Sequence, residues 1–319
     1  MHHLPVNTTQ KNYKFVSITV LLALAGVGWQ VLAGPLNYSI QVLFFITAIF
    51  LFGIPHGALD QAVEQEVARR KKHSFNRLAF SIKYIGAIVV YALFWYVFPQ
   101  VSLTAFLLMS AWHFGETDFR QLRRMPIFSM LARLLYGISI LLWILFTHTS
   151  EAGVTMSQLV PDASVLHRSW LAGVAHSQLI LASSGATIFT ALLVNQLSKR
   201  SKFSLLLIFQ LIIILTCCYF LPLLPAFALY FVGWHSIITL YNIEEFINTE
   251  PATQKRDTMI GLCLKVLPAS LIVIVGFLIT GYLLSRYAPV FNPLPLLFIL
   301  LSLITLPHIQ VMHRLNVPL

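Results

Sequence analysis

Four histidines lie where a histidine is costly. His56 stands in Gly53-Ile54-Pro55-His56-Gly57-Ala58-Leu59-Asp60 and His113 in Trp112-His113-Phe114-Gly115-Glu116-Thr117-Asp118. His235 stands in Gly233-Trp234-His235-Ser236 and His308 in Leu306-Pro307-His308. Neutral imidazole is the commonest metal ligand, and an all-nitrogen set suits iron, copper or zinc. One histidine in an apolar helix is ordinarily a hydrogen-bonded core residue. Four that converge are another matter, because each unpaired imidazole costs free energy where water cannot reach it. Whether they converge depends on the elements that carry them.

The 319 residues are 58% hydrophobic and only 10% charged, with a mean hydropathy of +0.79. A soluble domain is typically about 25% charged, so this chain cannot cover a globule of its size with polar side chains. Apolar runs of about eighteen residues or more recur, each long enough to cross a ~30 Å hydrocarbon core as a helix. The expectation is an all-α polytopic transmembrane bundle, a single integral membrane domain over residues 1–319 with short cytoplasmic tails. The spans fall near 15–33, 39–59, 79–98, 101–116, 127–147, 174–197, 203–221, 225–245, 260–283 and 293–312. This gives about ten, or eight if the short fourth and the weak sixth are discounted. The basic lead of Lys11 and Lys14 introduces a first span rather than a cleaved leader. Cys217, Cys218 and Cys263 lie in apolar runs without CxxC spacing and read as small core residues.

Lysine and arginine orient the bundle, because cytoplasmic loops retain them. Nineteen of the twenty-one fall at the N-terminus, in or beside the even-numbered loops, and in the tail; only Arg168 and Arg286 lie on the other side. Both termini are therefore expected in the cytoplasm, with the chain in the cell's inner membrane. The same short juxtamembrane clusters account for the net charge of +10 through topology and anionic headgroups, with no nucleic-acid partner.

In this arrangement all four histidines ride on even-numbered spans running the same way, each in the middle or cytoplasmic half of its helix. They share a depth and are candidate metal ligands together. Ligating histidines usually give their second N–H to a carboxylate or carbonyl. Asp60 follows His56 by four residues on one helical face, and Glu116 and Asp118 follow His113 by three and five. Asp60 and Asp118 are the candidate partners, although acids at span ends also read as solvated helix termini. Pro55 bends its helix by freeing a carbonyl, while Gly57, Gly115 and Gly233 offer clearance beside three of the histidines. The other histidines lie in tails, loops or the outer side, and His313 is the one understudy. Trp112, Phe114 and Trp234 flank the candidate ligands and are placed to line a cavity for a long, flat, apolar substrate. Most aromatics in spans face lipid or core.

These residues together resemble the Brp/Blh family of bacterial and archaeal β-carotene 15,15′-dioxygenases, membrane enzymes that form retinal for rhodopsins. The resemblance rests on the four histidine boxes, spread over residues 53–308. "PHGALD" followed 57 residues later by "HFG" is the more specific part. It implies a non-haem Fe(2+) centre held by histidines, O2 as co-substrate, and cleavage of the central double bond of β-carotene or a related carotenoid into retinal. It also implies a functional link to a rhodopsin. The chain departs from the family where the third box usually reaches a second histidine four residues on. That position is Thr239, and the residue after Asp60, often histidine, is Gln61. The expectation is that His308 completes the set and that Thr239 lies beside it. The alternative function is a histidine-lined transporter or channel for protons or a transition metal, which would call for paired intramembrane acids and related broken helices in two halves. A third reading, a non-catalytic accessory of a pigment or rhodopsin, needs no metal. Desaturase-like HxxHH clusters are absent.

Overall fold

In hydrocarbon no water is available to satisfy backbone groups, so an apolar chain of this kind crosses as helices that bond within themselves. The computed structural model describes residues 14–118, 126–197, 205–248, 258–287 and 292–315, and no strand occurs among them. Twelve helices follow one another: α1 (Lys14–Ala33), α2 (Tyr38–Arg70), α3 (Arg77–Val97), α4 (Pro99–Asp118), α5 (Pro126–Thr147), α6 (Thr149–Leu159), α7 (Val165–Val174), α8 (Ser177–Leu197), α9 (Leu205–Phe220), α10 (Leu223–Ile247), α11 (Met259–Ser285) and α12 (Pro293–Leu315). Asn76, Ser164 and Thr258 start α3, α7 and α11, each accepting a backbone N–H of the first turn.

Eight of these helices are long and apolar enough to span a membrane, the lower figure of the expected range. The two expected spans outside that set are α9, with 16 residues, and α4, whose last turns carry His113, Glu116 and Asp118. The short helices α6 and α7 were not anticipated, because their mixed composition breaks the apolar pattern between α5 and α8.

Helix α10 is the axis of the bundle. Its apolar stretch is 89% buried, against 11% for α3 and 17% for α11, whose flanks expose Val90, Leu93, Ile272 and Leu278. A helix apolar all round sits in a protein core or against lipid, and α10 takes the core while α3 and α11 take the periphery. Polar clips fasten the others. Tyr91 Oη donates to Ser102 O (2.8 Å), Trp95 Nε1 to Ser302 Oγ (2.7 Å), and Thr19 Oγ1 to Gly233 O (3.1 Å). Helix α4 crosses α5 at backbone contact. An added Cβ on Gly115 would lie 1.9 Å from Arg133 O, and one on Gly137 would lie 1.7 Å from Ala111 O.

The histidine-bearing helices α2, α4, α10 and α12 end together. Arg70 of α2 donates to Phe246 O of α10; Arg314 of α12 pairs with Glu64 of α2 at 3.0 Å, and His313 of α12 with Glu116 of α4 at 2.8 Å. At the other end His148 brings its two ring nitrogens to Ile144 O and Leu221 O, and Glu151 Oε2 accepts the N–H of Leu223 at the start of α10. Nine of the nineteen basic residues behind the expected orientation, Lys11, Arg120, Arg123, Arg124, Lys199, Arg200, Lys202, Lys255 and Arg256, lie outside the described residues.

Candidate metal centre

Two helices lose their regular winding where they carry a histidine. Helix α2 winds as a π-helix over Ile49–Gly53, so that the N–H of Ile54 reaches back five residues to Ile49 O. Pro55, which has no N–H to give, follows immediately, and His56 is next. Helix α10 is π-helical over Leu229–Ser236, the segment that contains His235. Such wider turns are rare and recur at functional sites, because they rotate the following side chains out of helical register.

The four imidazoles meet. Ring centroids of His113 lie 4.6 Å from His235 and 4.8 Å from His308, and those of His56 lie 4.9 Å from His308 and 5.8 Å from His235. One ring nitrogen from each of His56, His113 and His235 falls within 4.8 Å of the other two. Donors on a common ion at about 2.1 Å stand no more than about 4.2 Å apart, so small side-chain rotations bring the three into range. His56, His113, His235 and His308 are all buried. Both ring nitrogens of His113 and of His235, and Nε2 of His308, have no hydrogen-bond partner among the described residues. Orphaned polar atoms at this density are costly in an apolar interior, and an ion accepting their lone pairs relieves the cost. The residues fit a metal.

The carboxylates fall differently from expectation. Asp60 is turned away from His56: its Oδ1 lies 2.8 Å from Nδ1 of His308, and its Oδ2 accepts Tyr84 Oη at 2.9 Å. A carboxylate in that contact accepts, so Nδ1 carries the hydrogen and Nε2 keeps its lone pair for the cluster. Asp118 does not orient His113. Its oxygens accept Tyr136 Oη (2.8 Å) and Trp234 Nε1 (3.2 Å), which turns the Trp234 indole away from the cavity described below. Thr239 is buried below His235, donating to the carbonyl of that residue at 2.8 Å. With His113, Glu116, Asn242 and Met312 it lines a small space of about 20 Å³, room for a single water. One oxygen of Glu116 is buried without a partner among the described residues, while the other faces His313.

Above the histidines lies a cavity of about 120 Å³ with an almost wholly apolar wall. His56, His113 and His308 form its end. Of the three aromatics expected there, Phe114 lines it; Trp112 and Trp234 do not. The wall comes instead from Phe227 and Phe231 on α10, Phe298 on α12, and Met156 and Trp170 on α6 and α7. Phe227, Phe231 and His235 make one stacked stripe, with interplanar angles of 16° and 18°. Their spacing of four residues, continued back from His235, was the available signal. Gly57 is no close approach, since a Cβ there would meet Ile304 at an ordinary 3.6 Å. Gly233 is one, with Thr19 Cγ2 2.3 Å from the added atom.

A helical bundle with spans of membrane length, holding buried imidazoles at the end of an apolar cavity, defines a multi-pass membrane protein with a histidine-only candidate metal site. The β-carotene 15,15′-dioxygenase family model matches residues 47–316, and the chain belongs to that family. Over 74 residues it is 34% identical to a β-carotene 15,15′-dioxygenase from uncultured marine bacterium 66A03, a stretch covering 23% of this chain and 27% of that relative. The chain thus aligns with about a quarter of the length of this curated relative. No solved structure matches it.

Proposed function

We propose that the protein cleaves the central double bond of β-carotene, or of a related carotenoid, with O2 at a non-haem ferrous centre held by His56, His113, His235 and His308, giving retinal. The observation that carries this reading is the convergence of four buried imidazoles, three of which line the end of an apolar cavity. Family membership supplies the reaction class. Ferrous iron, when bound, supplies the activation of O2. The chain's own contribution is orientation and exclusion. Asp60 and Tyr84 fix the tautomer and angle of His308, and Phe114 and Phe231 wall the histidines against water. Retinal as product gives the proposed link to a rhodopsin. Expression in a β-carotene-producing bacterium should yield retinal on extraction and chromatography. Protein in the membrane with no carotenoid-derived aldehyde would contradict the proposal.

Thr239 stands where relatives place a histidine and offers no nitrogen, so His308 is assigned the fourth place. The Asp60→Ala protein should lose iron affinity by about 10- to 100-fold, as when other ligand-orienting carboxylates are removed, and His308→Ala should lose more. Thr239→His should keep or raise affinity, because it adds a nitrogen donor one helical turn from His235. Metal titration in detergent checks all three. Unchanged affinity in His308→Ala would favour a three-histidine site instead.

The orientation follows from the lysine and arginine distribution. Reporter fusions after Arg124 and after Arg314 should both read as cytoplasmic; an external signal from either breaks the topology.

A further inference from the structure

The cavity has a direction as well as a size. Leu103 and His113 both line it and lie ten residues apart on α4; so do Phe298 and His308 on α12. At a rise of ~1.5 Å per residue each pair marks about 15 Å along the bundle. One end is the histidine cluster. The other is floored by Met156 and Leu159 of α6 and Trp170 of α7, the two short helices that cap the outer end of the bundle. Trp170 is held in place, its ring 4.8 Å from that of Phe146 and its Nε1 3.2 Å from where a Cβ on Gly153 would sit. An apolar slot of this length matches one cyclic end group and its attached half of a carotenoid polyene, with the middle of the molecule arriving at the histidines.

We propose that the outer floor formed by Met156, Leu159 and Trp170 is an end-group pocket that determines which double bond is cut. The proposal rests on the carotenoid-cleaving reading and adds to it a ruler: the distance from floor to histidines, counted in polyene carbons, selects the bond. The reaction balances without a further reductant. The carbon–carbon double bond breaks, each carbon takes one atom of O2, and two aldehydes result whose lengths report the bond chosen. Equal halves mean the central bond.

The test is the aldehyde profile from β-carotene for the iron-loaded, purified full-length protein and two variants. Wild type should give retinal alone. Trp170→Ala deepens the floor and should shift part of the product to an unequal pair, one aldehyde longer and one shorter than retinal. Met156→Trp raises the floor. It should reduce cleavage of β-carotene, whose end is a ring, far more than cleavage of lycopene, whose end is a slim open chain. Should Trp170→Ala fail to accumulate in membranes, Leu159→Ala serves as the deepening variant. Retinal as the sole product of a deepened, iron-containing variant overturns the ruler while leaving the function intact. Equal loss on both substrates in Met156→Trp also overturns it. Wild-type protein that cleaves no carotenoid removes the functional reading itself, and the ruler with it.

Discussion

Alanine at His235 should abolish bound iron and retinal formation together, while the protein still reaches the membrane in wild-type amount. His235 is fully buried, its ring is 4.6 Å from that of His113, and neither of its nitrogens has a hydrogen-bond partner among the described residues. A structural histidine in the core would be bonded, and its removal would destabilise the fold by leaving its partner unsatisfied. Here no hydrogen-bond partner is left behind among the described residues, so the metal-free variant should lose only the packing of the ring against Phe114 and Phe231. The larger separation should come when iron is added. A ligand that binds the native state alone raises the melting temperature by mass action, so ferrous iron should stabilise wild type and not His235→Ala. Thermal unfolding in detergent with and without iron checks this. An undiminished response to iron in the variant would assign His235 a packing role.

The second large effect is at the crossing of α4 and α5. Gly115→Ala places a methyl group 1.9 Å from the backbone oxygen of Arg133, and a backbone carbonyl cannot rotate aside as a side chain can. The helices must separate, and the close approaches of Gly115 to Arg133 O and of Gly137 to Ala111 O are lost. Overpacking of this kind costs about 3 kcal/mol or more. His113 lies two residues away on α4, so the same displacement should weaken iron binding without touching a ligand. Gly137→Ala should act alike, through Ala111 O. The double variant should cost clearly less than the sum, because one separation relieves both clashes. Strict additivity in thermal unfolding would show that the two glycines do not share a crossing.

Much of this was legible in the sequence. Ionisable residues in apolar spans are conspicuous, so the four histidines could be named without a structure, and the helical class follows from composition. What periodicity cannot carry is a partner far along the chain. Asp60 lies four residues from His56, yet its carboxylate faces His308, 248 residues away. The reason is local: the break at Leu59, between His56 and Asp60, turns the end of α2, so the expected shared face of an ideal helix does not hold. Asp118 follows the same pattern. Its partners Tyr136 and Trp234 come from α5 and α10, and that pairing draws Trp234 away from the cavity. Phe227 and Phe231 could have been found by stepping back in fours from His235. Met156 and Trp170 could not, because α6 and α7 carry no motif and interrupt the apolar pattern by which spans are recognised.

The measurement that bears most directly on the central claim is a ferrous titration of anaerobically purified protein, with retinal from β-carotene and O2 read by chromatography at each step. Retinal should be absent without iron, rise in proportion to bound iron, and level off near one iron per chain. Retinal formed by the iron-free protein, or full iron occupancy with no cleavage of any carotenoid, would contradict the account.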